Sequence, residues 1–256
     1  PESTLTAITN GVYRKRWHAK DFYSRPVMVS DEELRNIKRK LKIELFDYVK
    51  RVSGKAFNPD ICTLVWARRF AGYKRPGLLF SDLERLMALI SNPNTPLQCI
   101  ISGKPHEKDA AVKAIRDNII AFSDTSEVKG RIVYLPDYST ASALKLVQGA
   151  DIWLNTPELG MEACGTSGMK AGLNGTLQFS IPDGWVAEIP LESCGWVLPE
   201  KNTSEVLYDL LEYEILPCFY GAGYWATKMR STIELVEKEY TTERMLHDYQ
   251  ERLYNL

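Results

Sequence analysis

The sequence predicts an α/β fold built on a doubly wound parallel sheet. Three observations carry that reading. Short apolar runs with β-branched members alternate with longer segments of helical periodicity. Strands separated by helical segments imply parallel pairing through right-handed crossovers, with both sheet faces covered. At 256 residues the chain can bury one sizeable core or divide into two small domains. With about five strands evident and no internal repeat or low-complexity linker, a single domain over 1–256 is the economical reading.

The elements follow in order. The stretch "VSDEELRNIKRKLKIELFDYVKRVSG" opens with a capping box, Ser30 to Glu33, and repeats apolar residues at Leu34, Ile37, Leu41, Leu45 and Tyr48. It reads as a helix ending near Gly54. "ICTLVWA" (61–67) is a buried strand, and "RPGLLFSDLERLMALIS" (75–91) a helix. "LQCIISG" (97–103) is a strand, "HEKDAAVKAIRDNIIAF" a helix, "RIVYLP" (131–136) a strand and "TASALKLVQGA" a short helix. "DIWLN" (151–155) is the next strand, and the small-residue turn after it, with the helix that turn opens, completes another unit. Three further helices fill Thr203 to Asn255, the first entered through Asn202 and Glu205.

Composition excludes several classes. A net charge of −1, with 45% hydrophobic and 25% charged residues, leaves no bulk footprint for nucleic acid or a membrane. No run of 18 apolar residues occurs, and no signal-peptide pattern opens the chain. Five scattered cysteines without a CxxC pair argue against a disulfide framework or a zinc site, so no metal is expected. The expectation is a cytoplasmic protein, and a start at Pro1 suggests a piece of something longer.

Ligands of such sheets sit beyond the carboxyl ends of the strands. That rule selects the loops 67–76, 103–107, 136–140 and 155–170. The first, "ARRFAGYKRP", holds four cations, Arg68, Arg69, Lys74 and Arg75, which read either as a solvated basic edge or as a site for phosphate. Tyr73 among them is core packing or a hydroxyl donor. In the third loop Asp137 or Ser139 caps the next helix, and Tyr138 is a candidate ring against a planar ligand. Gly103, Lys104 and His106 in the second loop carry a weaker signal, since a histidine at a helix start is usually capping or surface.

The fourth loop, "MEACGTSGMKAGLNG", combines a carboxylate, a turn of small residues opening a helix, and a lysine. Such a turn offers backbone N–H groups to an anion. Glu162 and Lys170 are eight residues apart. Sugar-nucleotide transferases of the two-Rossmann-domain type often carry two glutamates at that spacing, and a lysine in the second place lacks the acceptor a ribose diol needs. A lysine beside a phosphate cradle suits a Schiff base with pyridoxal phosphate.

"EACGTSGMKAGLNG" closely resembles the pyridoxal-phosphate lysine motif of the α-glucan (glycogen, starch or maltodextrin) phosphorylases. "RRFAGYKR" resembles that family's phosphate-binding loop, and "TNGVYRKRW" (9–17) its segment entering the second domain. "DYSTASALKLVQGADIWLN" and "SIPDGWVAE" agree in order and spacing, so the resemblance spans roughly residues 7 to 253. "GTSGMK" is nearest the short bacterial and archaeal branch; animal and plant enzymes have an asparagine before the Met-Lys pair. The resemblance implies a Rossmann-like domain that forms the C-terminal half of a GT-B-type two-domain architecture. Its amino-terminal half, which supplies sugar contacts including a histidine, is absent from this chain. His18, His106 and His247 sit in no matching motif.

Residue by residue, the resemblance implies that Lys170 anchors the cofactor while Gly165, Thr166 and Ser167 cradle its 5′-phosphate. Arg68 helps, where the long enzymes place a lysine, and Tyr138 and Trp17 line the pocket. Arg69 and Lys74 would bind the substrate phosphate. Asn10, Tyr73, Glu162 and the backbone of Ala163, Cys164 and Gly165 would hold the glucosyl hydroxyls; Cys164 stands in place of the usual serine. The implied partners are an α-1,4-glucan, inorganic phosphate and glucose 1-phosphate, with a homo-oligomer possible for the whole enzyme. Two other readings compete: a nucleotide-sugar-dependent glucosyltransferase of the same architecture, and a non-catalytic glucan- or phosphate-binding domain.

Overall fold

Both faces of the central sheet are apolar, which is why helices cover both. In the computed structural model, which describes residues 6–23, 29–128, 130–221 and 223–254, the strands are β1 (Cys62–Ala67), β2 (Leu97–Ser102), β3 (Ile132–Leu135), β4 (Ile152–Asn155), β5 (Leu177–Ser180) and β6 (Gly195–Val197). They pair in the order β3-β2-β1-β4-β5-β6, every pairing parallel. Alternate side chains divide between two cores. Leu64, Trp66, Cys99, Ile101, Ile152 and Leu154 face one side, while Val65, Ala67, Ile100, Val133 and Trp153 face the other.

On the second face lie α1 (Asp31–Ser53), through Leu45, Phe46 and Val49, and Leu146 and Val147 of the helix Thr140–Gly149. Ser30 caps α1 at the Glu33 N–H, and Gly54 ends it in the left-handed conformation. The first face takes α2 (Leu83–Ser91), α3 (Ala110–Ser123) and the C-terminal helices.

Three expectations need correction. A sixth strand, β6, was missed because only three residues pair there; Gly195 packs so close that a Cβ would stand 1.7 Å from the Gln178 carbonyl oxygen. The segment 75–91 is not one helix: Leu78–Phe80 forms a 3₁₀ turn, and Asp82 then caps α2 at the Arg85 N–H. Asn202 does enter the helix Thr203–Leu210, but with left-handed backbone and no capping side chain. That helix runs through a wider turn at Leu211–Ile215 just before Pro217, which has no N–H to continue the ladder. Helices Trp225–Glu239 and Thr242–Tyr249 follow. Asn255, the expected end of this region, lies outside the described residues.

The N-terminal segment is stitched to this region. The Val12 N–H donates to the Tyr240 carbonyl, and the Thr242 N–H donates to that of Val12. Gly11 permits the approach, since a Cβ there would lie 2.1 Å from the Thr241 oxygen. This bridge brings Asn10 and Trp17 to the carboxyl end of the sheet. At the opposite end, the Lys42 ammonium donates to Asp151 at 2.5 Å, and Asp151 also accepts from the Thr63 N–H. Both side chains are almost fully buried. Asp151→Ala strands the Lys42 charge, so a loss of about 3–5 kcal/mol in urea unfolding is the expected result. A loss below about 1 kcal/mol would contradict that account.

Among the described residues no helix is long and apolar enough to cross a membrane.

Candidate active site

The strand order β3-β2-β1-β4-β5-β6 switches between β1 and β4, so the connections leaving their carboxyl ends run to opposite faces of the sheet and leave a crevice. A cavity of about 390 Å³ opens there. Arg68, Arg69, Tyr73 and Lys74 line it from the loop after β1, Tyr138 from the loop after β3, and Glu162, Gly165, Thr166, Ser167 and Lys170 from the loop and helix after β4. Ten of the residues singled out in the sequence thus converge from three loops.

Arg68 is anchored by its backbone, whose N–H donates to the Ser102 carbonyl, so its side chain stays under the cavity. It is 6% exposed, burial lowers its pKa, and its Nε has no hydrogen-bond partner among the described residues. Its nearest carboxylate oxygen, on Glu162, stands at 3.5 Å. A buried guanidinium so loosely paired favours an anion beside it. Lys74 is buried as well, with Nζ 2.5 Å from the same Glu162 oxygen and 4.8 Å from the Tyr73 ring centre. Arg69 is exposed. Burial alone would raise the Tyr73 phenol, but hydrogen bonds from Lys74 and Arg69 bring it below its ordinary value.

The burial of Lys74 corrects one expectation from sequence. A cation in a loop after a strand promises a substitution harmless to folding, which suits exposed Arg69 but not Lys74, whose loss leaves Glu162 without its close partner. Arg75 is a second correction: it does not line the cavity, and its guanidinium donates to the Thr156 and Pro157 carbonyls instead.

Gly165 takes a left-handed conformation, φ 77°, to begin the helix Thr166–Gly172, and no side chain caps that helix start. Its first N–H groups therefore look toward the cavity with a positive partial charge. Ser167 accepts from the Trp153 indole at 3.3 Å. Three residues along, the Lys170 ammonium sits 4.3 Å from the Trp17 ring centre, without an ion-pair partner among the described residues. Its half-buried setting lowers its pKa, the direction that enlarges the neutral, nucleophilic fraction. Burial pushes the Tyr138 phenol up to about 12, keeping it a neutral donor.

The remaining candidates sit at the rim. Trp17 meets the site through its ring, which faces Lys170, while Asn10 hydrogen-bonds Cys164 outside the lining residues. Ala163 and Cys164 are not among the lining residues, and the Cys164 carbonyl accepts from the Trp185 N–H. Ser139 caps its helix in a reciprocal box with Ser142, as its position suggests. Lys104 lines a neighbouring cavity with Asp137.

Asp183 was missed. One of its oxygens accepts from the Glu162 N–H at 2.9 Å and the other from the Gly184 N–H. The Trp185 N–H donates to the Cys164 carbonyl, so the segment 183–185 braces the turn 162–165 from below. "SIPDGWVAE" stood out in the sequence, but nothing in its pattern shows which backbone its aspartate meets.

Residues 26–195 match the family described as carbohydrate phosphorylase. The chain is 32% identical to a maltodextrin phosphorylase of Thermococcus litoralis, across 99% of this chain and 36% of that enzyme. It is 37% identical to a glycogen phosphorylase of Aquifex aeolicus, across 79% of this chain and 31% of that enzyme. An uncharacterised protein of Methanocaldococcus jannaschii is 35% identical, across 98% of this chain and 48% of its own length. The chain spans about a third of the length of the two named phosphorylases.

Proposed function

The chain belongs to the carbohydrate phosphorylase family, and from that premise we propose that it forms the cofactor- and phosphate-binding part of an α-glucan phosphorylase. The reaction is reversible phosphorolysis of a terminal α-1,4-linked glucose to glucose 1-phosphate. One observation carries the reading: an amine of lowered pKa, Lys170, shares a cavity with Arg68, Arg69 and Lys74.

The residues fit pyridoxal 5′-phosphate. Lys170 offers the amine for its aldehyde, and Gly165, Thr166 and Ser167 offer an uncapped helix start for its phosphate. The unpartnered Nε of Arg68 supplies a buried cation for the same phosphate, with Tyr138 and Trp17 beside the ring. When bound, the cofactor supplies a phosphate group able to exchange a proton with the substrate phosphate.

The chain's own residues do the rest. Arg69 and Lys74 hold the substrate phosphate and, with Arg68, offset the repulsion between two phosphates in one cavity. Positive charge builds on the glucosyl ring as the glycosidic bond breaks, and a phosphate held close beneath it stabilises that charge. The departing glucan oxygen takes its proton from the substrate phosphate, whose oxygen bonds to the anomeric carbon. Glu162, Tyr73, Asn10 and the backbone of Ala163, Cys164 and Gly165 orient the sugar, and Asp183 keeps Glu162 in register. Phosphate entering the cavity must compete with Glu162 for Lys74, so sugar hydroxyls that engage Glu162 help release that lysine.

The test is formation of glucose 1-phosphate from maltodextrin and inorganic phosphate by the complete protein with added cofactor. Arg69→Ala is expected to lower phosphorolysis efficiency roughly tenfold or more, the loss of a ~1.5 kcal/mol charge-assisted contact. Its stability should change by less than about 0.5 kcal/mol, since the side chain is exposed. Unaltered phosphate kinetics in Arg69→Ala would remove that residue from the phosphate site.

A further inference from the structure

Two non-glycine residues among those described have positive φ, Arg75 at 47° and Asn202 at 53°, and both flank one contact. A left-handed arginine is held there by its surroundings rather than by preference. From that backbone the Arg75 guanidinium reaches across to the loop after β4. Its Nε donates to the Thr156 carbonyl at 2.9 Å and one Nη to the Pro157 carbonyl at 3.0 Å. The other Nη lies 3.4 Å from the hydroxyl of Thr203, the residue after Asn202. The return contacts come from the second loop. The buried Thr156 hydroxyl donates to the Lys74 carbonyl at 2.9 Å, and the Glu158 N–H donates to the Tyr73 carbonyl at 2.7 Å. The Trp66 indole completes the set by donating to the same hydroxyl.

We infer that Arg75 and Thr156 form a clasp that fixes the distance between the loop carrying Lys74 and the loop carrying Glu162, making Arg75 a positioning residue for phosphate binding. The role rests on the phosphorylase reading, although the clasp itself does not. Arg75 and Lys74 are adjacent, yet their side chains serve opposite sides of the loop: Lys74 points into the cavity and Arg75 grips the neighbouring strand's exit. Because the two loops come from the strands on either side of the crevice, no sheet pairing beyond β1 and β4 sets their separation. Small displacements of a binding group carry large losses in such sites.

The test uses Arg75→Gly in the complete protein. Glycine adopts the left-handed conformation freely, so this variant removes the clasp without straining the turn. Thr156→Val, close in shape, removes the return hydroxyl and serves if the first variant fails to fold. Amide hydrogen exchange is expected to rise at least about tenfold in peptides covering 71–76 and 156–162, with β1 and β4 unchanged. Unchanged exchange in both loops, or a rise spread over the whole sheet, would overturn the clasp whatever the protein catalyses. In the active enzyme the KM for inorganic phosphate is expected to rise roughly tenfold, with kcat changing far less. An unchanged phosphate KM would overturn the positioning role. Loosened loops in a protein whose unmodified form makes no glucose 1-phosphate would retain the clasp and defeat the phosphorylase reading alone.

Discussion

Lys170→Ala is expected to abolish covalent cofactor capture and to lower phosphorolysis by at least ~10²-fold at cofactor concentrations that saturate the unmodified protein. The amine lies at the end of a turn that can cradle a phosphate in this cavity, and among the described residues it has no carboxylate partner. Lys74, the alternative nucleophile by distance, is committed to Glu162. Folding should be little affected, because Lys170 is half-buried against Trp17 and leaves no charge unpaired when removed. Absorbance of the purified variant, together with its turnover of maltodextrin and phosphate, checks both halves. A variant that keeps the cofactor band would place the anchor on another lysine.

Lys74→Ala is expected to fail in two ways at once. Removing the ammonium leaves the Glu162 carboxylate, whose side chain is 11% exposed, with only the looser contact to Arg68. Losing one member of a fully buried pair costs about 3–5 kcal/mol, and partial exposure with a second cation nearby brings the expected loss to about 2 kcal/mol. Phosphorolysis should fall by more than tenfold beyond any loss of folded protein, since a phosphate contact of at least ~1.5 kcal/mol goes too. The double variant Lys74→Met with Glu162→Gln separates the effects. With both charges gone, stability in urea should largely return while phosphorolysis stays low. Recovery of activity together with stability would mean that Lys74 serves only to neutralise Glu162.

The chain order of strands and helices was legible because each carries its own periodicity. Both faces of β1 read as apolar from "ICTLVWA" alone, and Ser30 and Ser139 announce their helices by side chains that cap them, whereas the helix expected from His106 begins only at Ala110, behind its cap Asp109. The sixth strand was not, because three residues carry no period, and its pairing depends on a close approach at Gly195 that only the fold reveals. The site divides in the same manner. Gly165, Thr166, Ser167 and Lys170 lie in one contiguous turn, so their convergence follows from local geometry. Lys74 and Arg75 are neighbours of like charge, and nothing local says that one is buried against a carboxylate 88 positions away while the other grips carbonyls on a different loop. Asp183 likewise acts through a backbone N–H 21 positions earlier. Contacts of that kind are set by which strands become neighbours, here β1 beside β4, rather than by the pattern of any segment.

The most direct measurement of the central claim is borohydride reduction of the cofactor-saturated complete protein, followed by peptide mass mapping. Reduction fixes the cofactor to whichever amine holds it, independently of turnover. The account predicts a single labelled peptide within residues 161–175, with the added mass on Lys170. A label on any other lysine, or no label at all, would contradict it.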